Sequence, residues 1–236
     1  MQEVIALIQN HKQDFAQLPL FNFMQDKTID PRQRLSFAPC MAHFIMSFSD
    51  LNKYIFRDNK SKNELQKIIN EHSNEDSKHW SWYITDLDKL GFNQDGNFTQ
   101  ALKFLWSEET KITRQISYQV SAYTWQADPI IKVAAIESLE AMGHVFFSMS
   151  LPIAVELQKM TKKEYVYFGN VHLQVETGHT MGTPEVEDFI TDIELTNAQR
   201  QEAFDVVEKT FKIFSEWTYE LLAYARAQKI EPVLSR

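Results

Sequence analysis

Six glycines in 236 residues leave few positions for the tight turns that a many-stranded sheet needs. The prolines sit mostly at the edges of segments that read with helical periodicity. The expected fold is therefore all-α: a bundle of seven or eight helices in a single domain spanning 1–236. Its core runs from about 32 to 228, and an amphipathic N-terminal helix, 2–17, packs on it. QLPLFNFMQDKTIDP reads as a loop, with Asp30 as N-cap and Pro31 at the first helical position of the next segment. That segment, 32–56, contains FAPCMAHFIMSF and is apolar nearly all round, which predicts a buried helix kinked at Pro39. Further helices are expected over 62–90, stopping before Gly91, and over 98–126. Another starts at Asp128–Pro129 and is broken or bent by Pro152. One more covers 163–180, and MGTPEVEDF starts a short helix. The last runs from 197 to 228 behind a Thr196/Gln199 capping box.

Composition narrows the partners. The net charge is −8 and no Lys/Arg cluster is longer than a pair, which speaks against nucleic acid, because phosphate binding needs concentrated basic surface. No apolar run reaches the ~18 residues that a membrane span requires. The single Cys40 cannot form an internal disulfide, and the N-terminus lacks the apolar run of a signal peptide. Both fit a cytoplasmic protein. A small-molecule substrate is the expected partner, and a homodimer stays open.

Three segments carry chemistry. In NEHSNEDSKHW, residues Glu71, His72, Glu75 and Asp76 precede His79, and His72, Glu75 and Asp76 fall at helical spacings from it. In AIESLEAMGHVFF, Glu137, Glu140 and His144 share a face within an apolar sequence. A carboxylate buried there needs a cation or hydrogen-bond donors. In YFGNVHLQVETGH, His172, Glu176 and His179 stand four and then three residues apart and share a helix face. Carboxylate-rich sites with a few imidazoles suit iron or manganese better than zinc or copper. Helical bundles build dinuclear iron sites from such side chains on facing helices.

The pattern resembles the heme-oxygenase-like diiron oxidases and oxygenases, relatives of the TenA and PqqC fold. In that family a late helix carries Tyr-Phe, then His, an acid and His at the spacing seen here for Tyr167, Phe168, His172, Glu176 and His179. The family's acid is usually Asp, and Glu176 is one methylene longer, which bears on how a second iron would bind. The resemblance implies Glu140 as the ligand from the preceding helix, with Glu137 its competitor. It implies His79 with an accompanying acid from the earlier helix; Asp76 fits best, and Glu71 and Glu75 stay open. The implied ligand set is Asp76, His79, Glu140, His172, Glu176 and His179. Glu71, His72, Glu75, Glu137 and His144 are expected as weaker candidates, either as ligands or as residues supporting them. The implied cofactor is a pair of iron ions, with manganese an alternative. The implied activity is O₂-dependent oxidation of a fatty acid, amino acid or amine. His43, Phe44, Phe48 and Phe168 are the expected substrate-pocket residues.

Other readings compete. Histidines on apolar faces are commonly hydrogen-bonded core residues, and the phenylalanines of 37–48 are core by default. A metal-free enzyme of the same fold would need Cys40 as nucleophile or would oxidise without metal. A ferritin-like diiron bundle would also use acid-x-x-His pairs. A non-catalytic helical protein would present its acidic surface to a basic partner.

Overall fold

A computed structural model describes residues 1–92, 97–178 and 184–230, without the side chains of 176–178 and 184–185. Among the described residues every regular element is helical: α1 (Gln2–Phe15), α2 (Pro19–Gln25), α3 (Pro31–Arg34), α4 (Ala42–Asp50), α5 (Glu64–Asp76), α6 (Trp80–Leu90), α7 (Phe98–Leu105), α8 (Lys111–Thr124), α9 (Pro129–Thr161), α10 (Asn170–Gly178), α11 (Pro184–Thr191) and α12 (Asn197–Ala227). None is long and apolar enough to cross a membrane.

The centre is α9. Consecutive residues Ile131, Lys132, Val133, Ala134, Ala135 and Ile136 are all buried, so this part of the helix is covered on every side. It packs against α1, α2, α3, α5, α8, α10 and α12. That burial explains a departure from the sequence expectation. Pro152 neither breaks nor ends the helix, which continues to Thr161. An interior proline costs about 3 kcal/mol, and a helix enclosed by seven others recovers more than that from apolar burial. α12 is capped as expected, with Thr196 Oγ1 accepting from Gln199 N at 3.2 Å and Gln199 Oε1 accepting from Thr196 N at 3.1 Å. The N-terminal ammonium of α1 donates to the carbonyls of Thr191 and Ile193, which ties α1 to the link between α11 and α12.

Several expected boundaries move. PLFNFMQ is α2 rather than loop, because Pro19 occupies its first turn and Leu20, Phe21 and Met24 bury on one side. The single helix expected over 32–56 is four pieces: α3, a 3₁₀ turn (Ala38–Met41), α4 and a π-helical stretch (Leu51–Phe56). Pro39 sits inside the 3₁₀ turn and interrupts the helix instead of kinking it. Lys132 Nζ (3.1 Å) and Gln66 Nε2 (2.9 Å) both donate to the Phe56 carbonyl that ends the π stretch. The helix expected over 62–90 is broken at 77–79 into α5 and α6, and the one expected over 98–126 is broken between α7 and α8 by a 3₁₀ turn (Glu108–Thr110).

One loop matters most for function. Residues 162–169 connect α9 to α10 and are not helical, although helix was expected from 163. Asp86 of α6, with its side chain fully buried, accepts from the backbone N–H of Val166 at 3.0 Å and of Phe168 at 3.1 Å. Ser150 of α9 donates to the Phe168 carbonyl at 2.9 Å. At Gly169 a β-carbon would stand 1.9 Å from the Tyr165 carbonyl oxygen, so only glycine fits where the chain turns into α10. Replacing Asp86 by Ala leaves two buried N–H groups without acceptors, at roughly 1–3 kcal/mol each. The Asp86→Ala protein should lose about 3 kcal/mol in urea denaturation, and the amides of α10 should exchange faster with solvent.

Candidate metal centre

α5 buries one stripe, Leu65, Ile69, His72, Ser73 and Asp76, at helical spacing, while Glu71 and Glu75 lie on its exposed side. His72 and Asp76 therefore point inward together. The chain then turns, and His79 sits in the cap position of α6. From α9, Glu140 faces the same point with its side chain only 11% exposed. α10 adds His172, which is 2% exposed.

The distances are short. His72 Nε2 lies 3.0 Å from Asp76 Oδ2 and 3.3 Å from Glu140 Oε1. One donor atom from each of His72, Asp76 and Glu140 falls within 4.8 Å of the others. His72 Nε2 is buried, yet neither carboxylate stands where an N–H could donate to it. The three groups thus converge on a common point more than they bond one another. His79 Nδ1 is 3.9 Å from Asp76 Oδ1, too long for a hydrogen bond. The His79 and His172 ring centres are 4.8 Å apart.

Neighbouring groups fix the rings. His172 Nδ1 lies 2.9 Å from the Tyr167 carbonyl, which can only accept. The proton must therefore sit on Nδ1, and Nε2 carries the lone pair that a metal would use. Phe147 lies against His172 with ring centres 3.8 Å apart, and Trp82 stacks nearly parallel on His79 at 4.5 Å. Asp86 acts one step further out, because it shapes the loop that offers the Tyr167 carbonyl.

Burial disfavours a charged His72 ring, but the carboxylates of Asp76 and Glu140 outweigh burial and hold its pKa well above the usual imidazole value. One turn before Glu140, Glu137 is pushed up to about 7 by burial, with His72 acting to lower it and Glu187 to raise it. Asp76 and Glu140 beside His72 form an acid-rich buried set, and buried charge is costly unless it is matched. A divalent ion would balance it. The donors, imidazole and carboxylate without thiolate, fit iron or manganese.

The expected residues divide as follows. His72, Asp76, His79, Glu140 and His172 come together. Glu71 and Glu75 face solvent, away from the cluster. Glu137 and half-buried His144 lie on α9, respectively one turn before and one turn after Glu140. Glu176 belongs to α10, but its side chain lies outside the described residues, as does His179 altogether. Phe44 and Phe48 line a cavity beside the cluster. Two expected pocket residues do not appear among its described walls. The His43 ring meets Trp106 and Tyr118 edge-on, because its helix turns it away from the bundle axis. Phe168 is fully buried against Phe146, held there by the Asp86 loop. The supporting contacts of Tyr167, Trp82, Phe147 and Asp86 were not anticipated. Only the register of His72 with Leu65 and Ile69 could have raised it from weaker candidate to cluster member.

No protein-family profile matches the chain, and neither does the sequence of any characterised protein with which it was compared.

Between about pH 4.5 and about pH 7, native Glu137 keeps a proton that the unfolded chain has released. The native state then binds more protons, so stability falls as pH rises through that window and levels off above it. In metal-free protein, Glu137→Gln should flatten this fall by about 3 kcal/mol, measured by urea denaturation across the window.

Proposed function

We propose that this protein is a non-heme metal oxidase or oxygenase of the heme-oxygenase-like diiron type. It would bind two iron ions, with manganese able to use the same donors, and would oxidise a small organic substrate with O₂. The observation that carries the reading is the convergence of His72, Asp76 and Glu140, with His79 and His172 beside them, next to a mostly apolar cavity that Glu140, His79 and His172 help to line. Asp76, His79, Glu140 and His172 would be ligands, joined by Glu176 and His179. His72 fits the same role by its distances. Bound there, iron would supply the electrons that make O₂ reactive toward the substrate.

The chain's own residues do the remaining work. The Tyr167 carbonyl keeps the His172 proton on Nδ1. Trp82 and Phe147 hold the imidazole planes. The apolar wall keeps bulk water from the reacting end of the substrate, which strengthens every charge interaction within it.

The metal-free reading of the fold through a cysteine nucleophile has less support. Cys40 is buried and absent from the described cavity walls. Burial first, then the charges of Glu220 and Glu109, push its thiol well above the usual range, away from the reactive thiolate.

Elemental analysis after anaerobic Fe(II) loading tests the proposal. The wild-type chain should bind about two equivalents, and His172→Ala and Glu140→Ala should each bind fewer than one. Admitting O₂ to the loaded wild-type protein should give transient visible absorbance that both variants lack. A wild-type protein that takes up no iron or manganese would overturn the reading.

A further inference from the structure

Among the described residues nothing covers the apolar stripe of α7. Phe98, Ala101, Leu102 and Leu105 recur there at helical spacing, yet no residue of this helix is buried. Eight residues are too few to hold a helix in water without packing. The Asn97 cap and the contact of Phe104 with the core supply part of that support, and the stripe supplies none. The apolar surface continues past the helix. Trp106 follows Leu102 by one turn, and the His43 ring meets Trp106 and Tyr118 edge-on. Tyr118, Ala122 and Trp125 are exposed at helical spacing along α8, and Met46 is exposed one turn after His43 on α4.

Area and charge both bear on what fits this face. Phe98 is 78% exposed, Tyr118 64%, and Trp106 and Trp125 60% each. These four rings leave roughly 500 Å² in water, in the upper part of the ~300–600 Å² found for the largest patch on a monomer. Leu102, Met46 and the polar edge bring the face toward the ~800 Å² that each partner commits to a stable interface. Charge is sparse. The chain carries −8 in all, but residues 97–127 set Lys103, Lys111 and Arg114 against Glu108 and Glu109, and no residue from 115 to 127 is charged. An exposed face rich in Trp and Tyr and poor in charge has the composition of an interface centre, not of a solvated helix surface. A strongly basic or acidic partner would find little opposite charge here to select it. A second copy of the chain needs none. A two-fold axis turns the patch onto itself, and apolar surface then meets apolar surface. Two copies, each of net charge −8, repel one another on average, and this face lacks the acidic excess that drives them apart.

We infer that the face formed by α7, α8 and the outer side of α4 is a two-fold interface for a second copy of this chain, with Trp106 and Tyr118 in its middle. None of its exposed residues is among the described walls of the cavity beside the metal cluster. The interface therefore stands or falls independently of the metal-centre reading.

Sedimentation equilibrium from about 1 to about 100 µM tests it. The wild-type chain should approach twice its 27.7 kDa, with a dimer Kd of about 1 µM or tighter. Trp106→Glu and Tyr118→Glu each bring two carboxylates into the apolar middle of the two-fold, and each should weaken the dimer at least about a hundredfold. Val155→Glu on α9 and Phe189→Glu on α11 alter exposed apolar residues of other elements and should leave the dimer intact. A wild-type protein that stays monomeric at the top of the range overturns the inference, even if a different protein binds the face. A dimer that persists in both folded variants overturns it too. Should those variants fail to fold, hydrogen exchange of the wild-type protein decides. The amides of α7 should exchange more slowly above the dimer Kd than below it, and equal rates overturn the inference.

Discussion

Buried negative charge governs this structure. Asp76, Glu140 and Glu137 are drawn into the middle of a helical bundle whose interior is largely apolar. Nothing in the hydrophobic effect rewards that placement, and desolvation opposes it. The imidazole of His72 offsets part of the charge by gaining a proton at pH values where a free imidazole would be neutral. In the proposed metal centre the same acids would share a divalent ion instead, and the His72 proton would have to leave. On that proposal proton and metal would be alternative partners for one set of oxygens. The helices around them hold the acids in place under either regime, because their apolar contacts lie elsewhere on each helix.

The centre depends on an outer frame as much as on its own residues. His172 reaches it only because α10 begins where it does. That start is set by the non-helical loop 162–169, which Asp86 grips from α6, Ser150 grips from α9, and Gly169 allows to turn. α6 in turn begins at the break after Asp76, which carries His79. The elements supplying the imidazoles are therefore linked by the chain at one end and by a buried carboxylate at the other. Such a frame limits independent movement of the rings.

Much of the helical character was legible in the sequence, since scarce glycine and 3.6-residue periodicity point one way. The boundaries were less so, and each miss has a physical cause. Proline in α9 reads as a stop, but the packing that outweighs it comes from segments far away in sequence. The run 32–56 reads as one helix because its apolar character is continuous. Apolar character does not report the local unwinding at Pro39 or the widening at 51–56. For the site, helical spacing carried the pairing of His72 with Asp76 and of Glu140 with its neighbours on α9. The exposure of Glu71 and Glu75 was set by which stripe of α5 faces α9, and the polar sequence NEHSNED marks no stripe clearly. The turning of His43 toward Trp106 and Tyr118 depends on rotation of α4 about its axis, which no short motif encodes.

The atom that orients His172 is the carbonyl of residue 167, not a side chain. Every amino acid has that carbonyl. Drift at position 167 can therefore alter the packing around the ring without changing which nitrogen carries the hydrogen, provided the loop keeps its path. The tautomer is inherited through the course of the main chain, and a comparison of side-chain identities at this position would not register it.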